Sequence, residues 1–124
     1  TAASYGVHNP TNPERGIYGG TRHIVWLEDL FQERIEDPIE RQKFILGAYN
    51  VGQGHVFDAQ RLAEKYGKDP QKWDDVAYYL LKKSSPKYYN DKVVKYGYCR
   101  GIEVVTYVDR IYEVYALYED LFEA

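Results

Sequence analysis

From Val104 onward, apolar side chains recur every three or four residues: Val104, Val108, Ile111, Tyr115, Tyr118 and Phe122. That period belongs to one face of an α-helix and conflicts with the two-residue alternation of a half-buried strand. A stripe sustained over about five turns needs other elements to cover it. The rest of the chain supplies helices. Residues 10–16, with Pro10, Asn12, Pro13 and Gly16, read as a loop, and Ile17, Ile24, Leu27, Phe31 and Ile35 then follow at helical spacing. Asp37-Pro38-Ile39-Glu40 reads as a helix start. Asp37 suits the cap, Pro38 the first helical position, and Glu40 the return bond of a capping box. The helix carries Phe44, Ile45 and Ala48 and ends at Tyr49-Asn50. Val56, Ala59, Leu62, Ala63 and Tyr66 mark the next, stopped by Gly67. Asp69-Pro70 is expected to open another, with Trp73, Val76, Ala77 and Leu80 inward, and Ser85-Pro86 to break it. No strand alternation, fixed-period repeat or low-complexity linker is present, so one all-α domain is expected over residues 1–124.

The charge balance narrows the function classes. The net charge is −3 and no run of Lys and Arg forms a stripe, so nucleic acid is not an expected partner. No apolar run approaches the roughly 20 residues of a membrane helix. Cys99 has no second cysteine to pair with and reads as a small hydrophobe. His8, His23 and His55 have neither zinc-ligand nor triad spacing, so no metal or cofactor is expected. Glu28, Glu33, Glu36 and Glu64 fall mostly on polar helix faces, where charge usually serves solvation. The fourteen tyrosines join a broad apolar face to a polar tip, which suits packing between helices or stacking on sugar rings.

Two motifs carry a resemblance. The first is Ala48-Tyr49-Asn50-Val51-Gly52 at a helix end; the second is Gly97-Tyr98-Cys99-Arg100-Gly101-Ile102-Glu103, followed by Tyr107-Val108. Together they resemble the C-terminal half of the catalytic domain of family 1 lytic transglycosylases, the lysozyme-like enzymes that cut peptidoglycan, and look most like the membrane-bound transglycosylase F branch. The resemblance runs from Thr1 to about Tyr115. In that family the catalytic glutamate sits in a Glu-Ser motif on an earlier helix, a Gly-Leu-Met-Gln-type motif follows, and a segment like residues 1–7 comes next. This chain has no Glu-Ser pair and no methionine. The resemblance therefore implies a lysozyme-like helical domain lacking its N-terminal portion and catalytic helix, and an apolar face left open to self-association, on the Val104/Val108/Ile111 stripe or the Phe44/Ile45/Ala48 face.

The implied reaction cleaves the β-1,4 bond between N-acetylmuramic acid and N-acetylglucosamine. One glutamic acid protonates the leaving oxygen, and the C6 hydroxyl of the muramic acid attacks the anomeric carbon to give a 1,6-anhydro sugar. Most glycosidases need two carboxylates; here the substrate supplies the nucleophile. By resemblance, Tyr49, Asn50 and Tyr107 line the cleft beside the catalytic carboxyl, Tyr98 and Arg100 shape it or bind the muramyl peptide, and no catalytic residue lies in the chain itself. Arg100 paired with Glu103 on the surface is the plainer alternative. The implied setting is the bacterial periplasm or outer membrane, with peptidoglycan strands as partner and a membrane-anchored parent. The alternatives are a helical glycan-binding module that never cleaves, and a hydrolase of goose-type lysozyme character.

Overall fold

The computed structural model describes the backbone of residues 13–123 and the side chains of residues 22–117. Among the described residues six helices follow one another: α1 (Pro13–Gln32), α2 (Pro38–Val51), α3 (Gln53–Lys65), α4 (Trp73–Lys82), the single turn α5 (Pro86–Tyr89) and α6 (Gly101–Glu123). No strand occurs among the described residues. The expected all-α architecture is the one found, in keeping with a lysozyme-like domain.

Helix α2 is the hub, packing against α1, α3 and α6, while α4 packs against α3 and α6. Its start follows from its residues. The Asp37 carboxylate accepts from the backbone N–H of Ile39 (2.8 Å) and of Glu40 (3.2 Å), and Pro38 occupies the first turn. Glu40 does not complete a capping box; its carboxylate lies 3.6 Å from Lys43. The inward faces of the helices then meet around rings. Phe31 lies 6.0 Å from Phe44, and the Phe44 ring stands edge-on to Trp73 at 5.3 Å. Leu27, Ile35, Val56, Ala59, Leu62, Val76 and Leu80 complete a dry core. Each large side chain so buried contributes about 1.5–3 kcal/mol of transfer free energy.

Two glycines set the framework. Gly52, with φ +96°, separates α2 from α3 by a single residue, and its N–H reaches the Ala48 carbonyl at 2.7 Å. Gly101 begins α6 where that helix meets the end of α4, and a Cβ built there would run into the Leu80 carbonyl. Only a residue without Cβ permits that approach.

The structure corrects two expectations. Pro13 and Gly16 belong to the first turns of α1 rather than to a loop, since proline is well suited to a first helical position; Pro10 and Asn12 lie outside the described residues. Asp69-Pro70 does not open α4. The Asp69 carboxylate accepts from Gln71 N–H (2.8 Å), closing a local turn, and the helix starts at Trp73. The two apolar faces expected to be open are largely covered, with Ile111 only half-buried and lining the open space along α6. Phe44, Ile45, Ala48, Val104 and Val108 are all buried, because α2, α4 and α6 close on one another around Trp73. Exposed apolar side chains include Val25 and Trp26 on α1, Ile39 on α2, and Ile102, Val114, Tyr115 and Leu117 on α6. Tyr118 and Phe122 of the last stripe have side chains outside the described range.

Candidate functional site

A groove of about 630 Å³ runs along α6 and reaches the end of α2. Its walls include Asn50, from the last turn of α2, and Ile102, Glu103, Thr106, Tyr107 and Ile111, from successive turns of α6. Helical spacing explains the α6 wall, since residues three and four apart share a face. Asn50 joins it because α2 packs on α6 and Gly52 ends α2 at that edge. Two of the sequence-derived site residues, Asn50 and Tyr107, thus share one concave surface although 57 positions apart (107 − 50).

The other three stand differently. Tyr49 turns toward α1, its ring 5.7 Å from that of His23, which in turn stacks on Trp26 at 5.9 Å with 15° between planes. An aromatic strip therefore lies beside Asn50. Tyr98 is exposed and meets Tyr89 edge-on at 5.9 Å. Arg100 pairs with Glu103 at 3.6 Å, both side chains about two-thirds exposed. That is the plain surface pair, and it places Arg100 next to a residue of the groove wall. Glu103 is the only carboxylate in the described wall, and its exposure leaves it hydrated rather than set in an apolar pocket. Cys99 is buried, and burial pushes its thiol above the usual value, so no reactive thiolate forms there. Among the described residues no cluster of His, Cys, Asp and Glu has the makings of a metal site, and no helix is long and apolar enough to cross a membrane.

No protein-family model matches the chain. Individual relatives do. A "membrane-bound lytic murein transglycosylase F" from Maricaulis maris is 45% identical over 120 residues, which is 94% of this chain. Proteins of the same name from Pseudomonas fluorescens and Saccharophagus degradans are 41% and 45% identical over 115 and 111 residues. Over the matched stretch, the chain is similar to one part of proteins named membrane-bound lytic murein transglycosylase F. It spans 22–25% of the length of these three relatives, about a quarter.

Behind the second motif lies a network that the sequence reading did not find. Asp58 of α3 is fully buried. Its carboxylate accepts from Lys83 Nζ (2.7 Å), from the backbone N–H of Lys95 (2.8 Å) and Tyr96 (2.9 Å), and from the Arg61 guanidinium. Lys83, fully buried after the end of α4, also lies 2.8 Å from His55 Nδ1. One carboxylate thus joins α3, the end of α4 and the segment that leads into Gly97-Tyr98. Burial by itself would raise the Asp58 carboxyl, but the four hydrogen bonds overcome it and hold the group below its usual value. Burial pushes the Lys83 ammonium down, with Asp58 pulling the other way. His55 is lowered too, by burial first and by the Lys83 charge second.

The histidine makes stability pH-dependent. Just below its ordinary value of 6.5, His55 is protonated in the unfolded chain and neutral in the folded one. The unfolded state then binds more protons, so stability is full above 6.5 and falls as pH drops toward the lowered folded value. Asp58 adds a second loss in stronger acid, below 3.8, because its folded pKa is depressed. Urea denaturation across the range from about pH 7 to about pH 5 is expected to show declining stability, and His55→Gln to flatten that slope. An equal slope in the variant would remove His55 from the account.

Proposed function

We propose that this chain forms one wall of the peptidoglycan cleft of a lytic transglycosylase, an enzyme of the bacterial cell envelope that cuts the bond from N-acetylmuramic acid to N-acetylglucosamine and releases 1,6-anhydro ends. The observation that carries the reading is the shared groove of Asn50 and Tyr107, in a chain whose relatives bear that enzyme's name. Asn50 offers both a donor and an acceptor to sugar hydroxyls or the N-acetyl group. Tyr107 supplies a hydroxyl and an apolar flank, and the Tyr49–His23–Trp26 strip extends the aromatic surface at the rim. Tyr98 and Arg100 would meet the muramyl peptide. The general acid must sit protonated in a largely apolar setting. Glu103 does not meet that requirement, being exposed and paired with Arg100. We assign the acid to a glutamate outside these 124 residues and keep this chain's part to binding and orientation.

The test is a graft: the Maricaulis maris relative with its matching segment replaced by this chain. The graft is expected to release 1,6-anhydro-muropeptides from purified sacculi, whereas the 124 residues alone release none. Asn50→Ala in the graft should lower kcat/KM by about 100-fold, the size of effect that follows from loss of orientation at a reacting bond. Full activity of that variant would take the groove out of the active site. Reducing-end products without the anhydro ring would make the protein a hydrolase.

A further inference from the structure

A second aromatic surface stands apart from the groove, on the end of α3, on α4 and on α5. Tyr79 of α4 is buried and forms its base. Tyr66 stacks on it at 5.6 Å with 10° between planes, Tyr78 meets it edge-on at 5.0 Å, and Tyr88 lies 6.3 Å away. Tyr66 is 39% and Tyr78 50% exposed. Four tyrosines, from the end of α3, from α4 and from α5, thus form one cluster, with Tyr66 and Tyr78 exposed on it. Cations border it. Lys82 Nζ lies 5.2 Å from the centre of the Tyr78 ring and 6.0 Å from that of Tyr88, and Lys87 Nζ lies 5.3 Å from that of Tyr88. Among the described residues neither lysine has a carboxylate partner; the nearby Asp91 is paired with Lys65 at 2.7 Å, and Asp75, close enough to act on Tyr79, accepts from the Asp69 N–H at 3.1 Å. A chain of net charge −3 therefore keeps two unneutralised ammonium groups beside exposed aromatic faces.

We propose that this surface is a second binding platform, for a glycan that carries carboxylates. The chemistry selects the ligand. The C–H faces of pyranose rings are apolar and weakly positive, matching the negative face of a tyrosine ring, whose hydroxyl edge bonds sugar hydroxyls. Lys82 and Lys87 supply point charges for carboxylates on the same polymer. Tyrosine hydroxyls and bordering ammonium groups suit a polar, charged polymer better than the apolar face of a protein partner. Single-stranded nucleic acid also stacks on aromatic rings, but it needs a cationic track along its backbone, and two lysines do not make one. The inference rests on the peptidoglycan reading for the identity of the glycan: its peptide stems, or the lactyl groups where the stem has been removed, bring the carboxylates. A platform outside the groove would hold the strand while the groove works along it.

The experiment is co-sedimentation of the 124-residue chain with peptidoglycan sacculi, with neutral chitin and poly-dT as comparison ligands. All proteins carry Asn50→Ala, so that the groove contributes little. Sacculi are expected to bind more tightly than chitin, and added salt to weaken them. Tyr78→Ala/Lys82→Gln, both at partly or fully exposed positions, should weaken sacculus binding about tenfold with an unchanged thermal unfolding profile. Unaltered binding by that variant overturns the proposal. So does equal binding of chitin, which removes the role of the lysines, or of poly-dT, which makes the surface a nucleic-acid platform. Cleavage by the graft is a separate readout: an active Asn50→Ala graft alongside platform-dependent binding would refute the groove and leave the platform standing.

Discussion

Lys83→Met is expected to destabilise the fold by about 3 kcal/mol, seen as a fall in Tm on the order of 10 °C. The side chain is fully buried, and methionine fills much of the same volume, so lost packing is the smaller part. The larger part is Asp58, whose carboxylate would keep Arg61 and two backbone N–H groups but lose its buried cation. Removing one member of a buried pair leaves a charge in a poor solvent, which costs far more than the pair contributes when intact. A control separates the two parts. Asp58→Asn added to Lys83→Met removes the stranded charge while keeping one acceptor for the Lys95 or Tyr96 N–H. The double variant should therefore be more stable than Lys83→Met alone. If it is less stable, the cost lies in the packing around Lys83 and not in the charge.

Gly101→Ala should be comparably severe, at about 3 kcal/mol by urea denaturation. The added methyl would occupy the space of the Leu80 carbonyl, which is backbone and has no rotamer to yield with. Relief requires α6 to lift from α4. Because α6 carries Tyr107 and most of the groove wall, the lift would also draw Tyr107 away from Asn50. The same substitution in the graft should thus reduce cleavage even at temperatures where the variant is still folded. A stability within about 0.5 kcal/mol of the parent would mean the contact relaxes without moving the helix.

The helices were legible because burial writes a period into the chain. Phe44, Ile45, Ala48, Val56, Leu62, Val76, Leu80, Val104 and Val108 sit inward where their spacing puts them. The boundary at Asp37-Pro38 was legible because a capping carboxylate and a proline act locally. Asp69-Pro70 presents the same pair and makes only a turn, since the Asp69 side chain bonds Gln71 and does not cap a helix. Asn50 and Tyr107 were picked out by their resemblance to a known motif, not by periodicity, and the structure adds their common groove. Tyr49 was grouped with them, yet it faces His23. The Asp58–Lys83 pair was missed because charges on helices are usually solvated, and 25 residues separate the two. A signal was present: Lys83 continues the inward series Val76, Leu80 by three more residues, and Asp58 precedes Leu62 by four. Opposite charges on two inward stripes point to each other across a core.

The one-residue joint at Gly52 bears on how this chain tolerates changes in length. Nothing but Gly52 lies between the end of α2 and the start of α3. One extra residue there would turn all of α3 by about 100° relative to α2. Asp58 would swing off Lys83, and Val56 and Ala59 would leave the core, all from a change that alters no side chain. The turn at residues 66–72 between α3 and α4 is held at Pro70 and Gln71 by bonds to Gln60 (2.8 Å) and Glu36 (2.9 Å), but its exposed tip at Gly67-Lys68 can absorb a residue without turning either helix. Insertions and deletions accumulated among related chains should therefore gather in that turn and leave the spacing from Asn50 to Asp58 fixed, so that the distance between the first motif and the buried carboxylate acts as a ruler for aligning distant members.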